Sequence, residues 1–183
     1  MNEQPPMITG NLSAAEQQTT AFMDAICSRD FSVAEDLLAG SPKLDSNIQP
    51  SNPFSEALWD AYYESMSYTF QGSCYTDEYG LYRDVTITYL SIPALMEDLQ
   101  PRAPLLLANA AVDCPETAYD GNGNYTQDFI YKTLAAEAEA MLHIKDYTVT
   151  RTLTLQITGK GGHHIIQNTP ALMDLISGSM GGA

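Results

Sequence analysis

Two arginines stand at positions where a β-strand would bury them. Arg83 shares its alternation with Leu81, Val85 and Ile87, and Arg151 shares its own with Val149, Leu153 and Leu155. Successive side chains of a strand point to opposite faces, so each guanidinium is expected on the apolar, helix-covered side of a sheet. Only four of the eight basic residues are arginines, which makes two on that face informative. A guanidinium removed from water must find carboxylates or carbonyls, or snorkel out at a strand end. Internal pairing with some of the 23 acids is one reading, and an anion site at the mouth of the covered face is the other.

Aromatic and imidazole groups complete the candidate set. Tyrosine occurs 11 times and crowds between Tyr62 and Tyr89. Rings with a polar tip suit pocket linings and interfaces, and they also suit an amphipathic sheet. The candidate ligand-binding residues are Arg83, Arg151, Tyr68, Tyr89 and His163. His163 and His164 are adjacent on a strand, point to opposite faces and cannot share a metal. His143 closes a helix, where a cation suits the dipole. Asp120-Gly-Asn-Gly-Asn124 opens like a calcium loop, but Tyr125 and Tyr131 stand where Gly and Glu are required, so it reads as a turn. Gly159-Lys-Gly-Gly162 lacks the spacing of a phosphate loop and reads as a hairpin turn. No metal, cofactor, catalytic triad or catalytic carboxylate pair follows from any spacing.

Charge and composition limit the partners. Against 8 Lys and Arg stand 23 Asp and Glu, a net charge of −15 over 183 residues. That field repels nucleic-acid phosphates and anionic headgroups, and no basic stripe offsets it. Hydrophobic residues at 44% fit a folded chain, and none of the apolar runs is long enough for a transmembrane helix. Cys27, Cys74 and Cys114 give an odd count without metal spacing; a Cys74–Cys114 bridge is one option and free thiols the other. Residues 1–12 read as a polar leader without the features of a signal peptide. The chain is expected to be extracytoplasmic, with its export signal already removed, and cytoplasmic as the alternative.

The elements that position these residues follow from periodicity. Ser13-Ala-Ala-Glu16 is a capping box and opens a helix to about Ser28. A short helix follows Asp30 and stops at Gly40. A Pro-rich loop leads to a third helix, Phe54 to Glu64. Met66, Tyr68 and Phe70 alternate with polar residues, as do Val85, Ile87 and Tyr89, giving a hairpin around Thr76–Gly80. Pro93 opens a helix that Pro101 and Pro104 must split. A linker, Asp113 to Asn124, precedes a long helix capped by Thr126. A second hairpin has Tyr147 to Ile157 as its first strand, and Pro170 opens a last helix ended by Gly178. Pro93-Ala-Leu-Met recurs as Pro170-Ala-Leu-Met, each after a hairpin. Expected is one α+β domain, 13–178, with an antiparallel sheet of two hairpins curved against helices, and a frayed tail at 179–183.

Phe22-Met-Asp-Ala-Ile26, Asp30-Phe31 and Ala34-Glu-Asp-Leu37 resemble the opening helices of nuclear-transport-factor-2-like proteins, the cystatin-like cones. The tail, Thr148 to Gly182, resembles a subset found among exported lipoproteins of Gram-positive bacteria, with His163 where those carry Trp. The resemblance implies a cone-like fold, and a fold alone implies no activity. The reading it supports is a non-enzymatic module for a small apolar or anionic ligand or a protein partner, as monomer or homodimer. The alternative is a small acid–base enzyme, of isomerase or dehydratase type, drawing on Tyr68, Tyr89, Arg83, Asp84 or His163. Asp84 fits that role poorly, since its alternation places it on the outer face.

Overall fold

The computed structural model describes residues 9–44, 50–160 and 163–179. In chain order these form α1 (Thr9–Cys27), α2 (Phe31–Leu37), α3 (Pro53–Glu64), β1 (Ser67–Phe70), β2 (Tyr75–Thr76), β3 (Leu81–Leu90), α4 (Ile92–Leu99) and α5 (Ala103–Asp113). Then follow α6 (Pro115–Ala118), α7 (Gln127–Ile144), β4 (Thr148–Lys160), β5 (His163–Ile166) and α8 (Pro170–Ile176). The α+β class holds, with a curled antiparallel sheet in the order β1-β3-β4-β5 and β2 added to β3. The chain divides into two compact units.

The first unit holds α1, α2, β1, β2, β5, α8 and most of β3 and β4. Its register follows the alternation in the sequence. Tyr68 pairs with Ile87 and Phe70 with Val85, while Ile157 pairs with Ile166. Across β3 and β4, Thr86 meets Thr152 and Thr88 meets Thr150 through their hydroxyls, in reversed order, as antiparallel strands require. Val85, Ile87, Leu155 and Ile157 are buried on one face. Residues 15, 19, 22, 23 and 26 of α1 are buried at helical spacing, and α1 and α2 lie against β5. Ala39 N–H donates to Ile166 O, so the chain leaving α2 covers part of the β5 edge.

The second unit holds α3, α4 to α7, the end of β3 and the start of β4. Asn52 and Ser55 form a reciprocal capping box at the start of α3, with Pro53 in its first turn. α3 packs on α7 and carries Trp59, Tyr62 and Tyr63, whose rings lie edge-to-face or stacked within 5.9 Å. Gly178 adopts φ +68° beside this cluster, and a Cβ there would lie 3.5 Å from Ile92 Cδ1. A left-handed backbone at a helix end suits Gly above all. Ser91 caps α4, the helix with Pro93 in its first turn, and Thr126 caps α7.

Three expectations shift, at the start of α1, in the first turn and in the linker, while the split after Pro93 and the free-thiol option hold. α1 begins at Thr9, upstream of Ser13 and inside the expected leader, and the Glu16 carboxylate accepts from Cys74 N–H instead of closing a capping box. The first hairpin's turn contains the short strand β2, and the expected linker contains α6. The helix after Pro93 divides at Gln100–Arg102 into α4 and α5, as Pro101 and Pro104 demand. All three thiols are free, so the Cys74–Cys114 bridge is not formed. The second hairpin's tip at 161–162, part of the Pro-rich loop at 45–49, most of the leader and the tail at 180–183 lie outside the described residues.

The two sheet faces predict opposite mutational costs. Ile87→Ala should lower unfolding stability by about 2–5 kcal/mol through lost burial and a residual cavity. Thr152→Ala on the other face should stay within about 0.5 kcal/mol, both read from urea unfolding.

Candidate functional site

Arg83 does face inward, and the structure ties it down there. Its Nη1 donates to Glu16 O at 2.9 Å, Thr19 Oγ1 at 2.8 Å and Thr20 Oγ1 at 3.2 Å, all on α1. Its guanidinium carbon lies 3.4 Å from the centre of the Phe70 ring. Nε is buried without a partner, and among the described residues Arg83 pairs with no carboxylate. Nearby, the Tyr68 hydroxyl donates to Asp24 Oδ1 at 2.6 Å, while burial, this bond and the Asp24 charge push its phenol above the usual range. Burial likewise raises Cys74, with Glu16 raising and Arg83 lowering it. A phenol held protonated and a guanidinium bonded to backbone and hydroxyls make a structural clasp between α1 and the sheet. The clasp uses Nη1, while the Nε N–H stays unused.

The other expected site residues do not join it. Arg151 keeps its alternation with Leu153 and Leu155 but is exposed. Tyr89 is buried in the second unit, edge-on to Tyr62 at 5.7 Å. His163 is exposed, and it is His164 that turns inward with Ile166. Because Ile165 and Ile166 are both apolar, alternation within β5 alone could not decide which histidine faces in; the pairing of His164 with Gly159 decides it. Asp120 Oδ1 accepts from the backbone N–H of Asn122 and Asn124, which lowers its carboxyl and closes the turn as expected. Among the described residues, no three His, Cys, Asp or Glu converge as a metal would need.

The opposite face of the sheet in the first unit is the less expected feature. Tyr82, Asp84, Thr86 and Thr88 of β3 run beside Thr150, Thr152, Thr154, Gln156 and Thr158 of β4, with Tyr75 of β2 paired to Tyr82. Hydroxyl bonds join the strands at Thr86–Thr152, 3.1 Å, and Thr88–Thr150, 2.8 Å. Asp84 Oδ1 accepts from Thr154 Oγ1 at 2.6 Å and from the Tyr75 hydroxyl at 3.1 Å. The Tyr75 and Tyr82 rings lie side by side, 5.8 Å apart and 30° from parallel. Sequence alternation assigned Asp84 and the threonines to this face, but the aromatic end depends on β2, which the periodicity did not reveal.

In the second unit two adjoining hollows of about 440 and 550 Å³ flank α3 and α7, lined in part by Glu64, Leu142 and His143. Beside them Asp98 Oδ2 accepts from Lys145 Nζ at 2.6 Å and from the Tyr147 hydroxyl at 2.8 Å. The bond from Lys145, then that from Tyr147, lowers the Asp98 carboxyl, and Lys145 is raised in turn, chiefly by the same bond. The cation and the phenol are thus already engaged with one carboxylate.

Two measurements probe these clusters. Arg83→Met should destabilise the fold by about 2 kcal/mol, the scale of hydrogen bonds to a charged group, in denaturant unfolding. Asp98 adds stability above its unfolded value of about 3.9 and loses it as pH falls through its lower folded value. Asp98→Asn should therefore lower the neutral plateau of the Tm–pH profile, flatten its acid limb below about pH 4 and converge with the wild type in strong acid.

No family model, curated protein or solved structure matches this chain, so the chemistry of its own faces carries the functional reading.

Proposed function

We propose that this chain is a non-enzymatic binding module of the nuclear-transport-factor-2-like kind, working outside the cytoplasm and recognising its partner with exposed surface. The observation that carries the reading is the filled inner face of the first unit. Val85, Ile87, Leu155 and Ile157 are at most 2% exposed. Of the polar groups that point the same way, Arg83 is bonded through Nη1 to α1, and Tyr68 to Asp24. Acid–base catalysis needs an ionisable group at a hollow that admits substrate. Tyr68 and Arg83 are instead bonded to α1, and buried aliphatic side chains fill the same face beside them. The family and the envelope location rest on the resemblance of the opening helices and the tail.

Native mass spectrometry of the gently purified protein tests the reading. The expected result is the bare mass of a monomer or dimer. A mass excess that vanishes on denaturation and in Arg83→Met would overturn it, since it would place a retained ligand inside the fold.

A further inference from the structure

We infer that the outer sheet face of the first unit, from Tyr75 and Tyr82 through Asp84 to the paired threonines, binds a neutral polysaccharide chain. The inference rests on the binding-module reading above and names its ligand class. Three properties of the face point to that chemistry.

The first is its charge. The chain carries 31 acidic and basic residues, yet among Tyr75, Tyr82, Asp84, Thr86 and Thr88, and Thr150, Thr152, Thr154, Gln156 and Thr158 across from them, only Asp84 is ionised. A solvated strand face usually mixes Thr with Lys and Glu, which keep it soluble. Here the side chains are hydroxyls, amides and phenols. The second is the aromatic end. Tyr75 is 43% exposed, and its ring is held by the hydroxyl bond to Asp84 and by contact with Tyr82. Tyr79, on the turn between β2 and β3, is 77% exposed. A ring held in place and open to water presents a flat apolar surface with a polar tip. The C–H face of a sugar ring has the complementary shape and polarity.

The third is unused hydrogen-bonding capacity. Each threonine pair has two O–H groups and uses one of them internally, so each rung keeps a donor and several lone pairs. Asp84 takes both of its bonds on Oδ1, and Oδ2 has no partner among the described residues. A carboxylate oxygen beside an aromatic platform can accept from adjacent sugar hydroxyls, and charge-assisted bonds of this kind are among the stronger ones. Cross-strand bonds also fix the threonine rotamers, which reduces the ordering cost of binding.

Competing occupants fit less well. Anionic polymers, nucleic acids included, meet a net charge of −15. A protein interface needs an apolar core, and beyond the tyrosines this face offers only the half-buried Ile165. A second copy docked face to face would set threonines against threonines and gain little apolar burial.

Affinity electrophoresis in native gels tests the inference, with hydroxyethylcellulose, arabinoxylan and galactomannan as neutral polymers and polygalacturonate as the anionic one. At least one neutral polymer should retard the protein, and polygalacturonate should not. Tyr75→Ala and Thr152→Lys should each weaken that retardation at least fivefold, while Leu105→Ser on α5 leaves it unchanged. Tyr75→Phe separates roles: it keeps the ring, loses the bond to Asp84 and should retain most of the retardation. Far-UV circular dichroism checks that each variant is folded. Retardation by none of the neutral polymers, retardation by polygalacturonate alone, or wild-type behaviour of both Tyr75→Ala and Thr152→Lys would overturn the inference. Failure here with a bare native mass removes the ligand class alone, whereas a retained internal ligand removes the module reading itself.

Discussion

The antiparallel pairing of β3 with β4 is the constraint from which the first unit follows. Setting Thr86 against Thr152 and Thr88 against Thr150 leaves Val85, Ile87, Leu153 and Leu155 no choice of side. A slip of one residue would turn the threonines inward and the aliphatic side chains out, at the cost of every buried contact. The same parity carries Arg83 into the apolar layer. Its charge is tolerable there because α1 offers a carbonyl and two hydroxyls at hydrogen-bond distance and Phe70 offers a ring face.

α1 is matched to that demand. Glu16, Thr19, Thr20 and Asp24 lie three, four and eight residues along the helix and so share a flank. That flank receives Arg83, Cys74 N–H and the Tyr68 hydroxyl. The neighbouring stripe of Ala15, Phe22, Met23 and Ile26 supplies the burial. Apolar packing alone would allow the helix to slide or rotate on the sheet. Directional bonds from three separate segments fix its register, which is a specificity role for a polar cluster inside a core.

Elements with strong local signals were legible in the sequence. Alternation placed β1, β3 and β4 and the correct faces of Val85, Ile87 and Asp84, and Pro93 and Pro170 located α4 and α8. Thr126 marked the start of α7, and Pro101 and Pro104 marked the break between α4 and α5. What escaped depended on partners distant in sequence. β2 is two residues long and exists through its pairing with Tyr82 and Leu81. Glu16 fits a local capping box, yet its carboxylate is taken by Cys74 N–H, 58 residues away. Arg151 obeys the alternation but is exposed, because strand parity says which face a side chain takes and not whether that face is covered. The candidate site divides in the same way: Arg83 and Tyr68 come together with α1, whereas Tyr89 lies in the other unit.

Charge is distributed by element, and the distribution bears on recognition. The helices carry most of the acids, as at Asp24, Glu35, Glu56, Asp60, Glu64, Asp98, Asp128 and Glu137, while the outer strands in the first unit carry one. At physiological ionic strength the field of an exposed charge fades over about 8 Å, and the acids shown to act on the sheet face are Asp84 and, on the adjoining turn, Asp77. A neutral chain approaching it meets little of that repulsion, and a polyanion meets it along its whole length. Selectivity of this kind needs no discriminating contact with the anion. The net charge of −15 disfavours it, while Asp84 and the tyrosines provide the attraction for a neutral chain, which separates rejection from binding in physical origin.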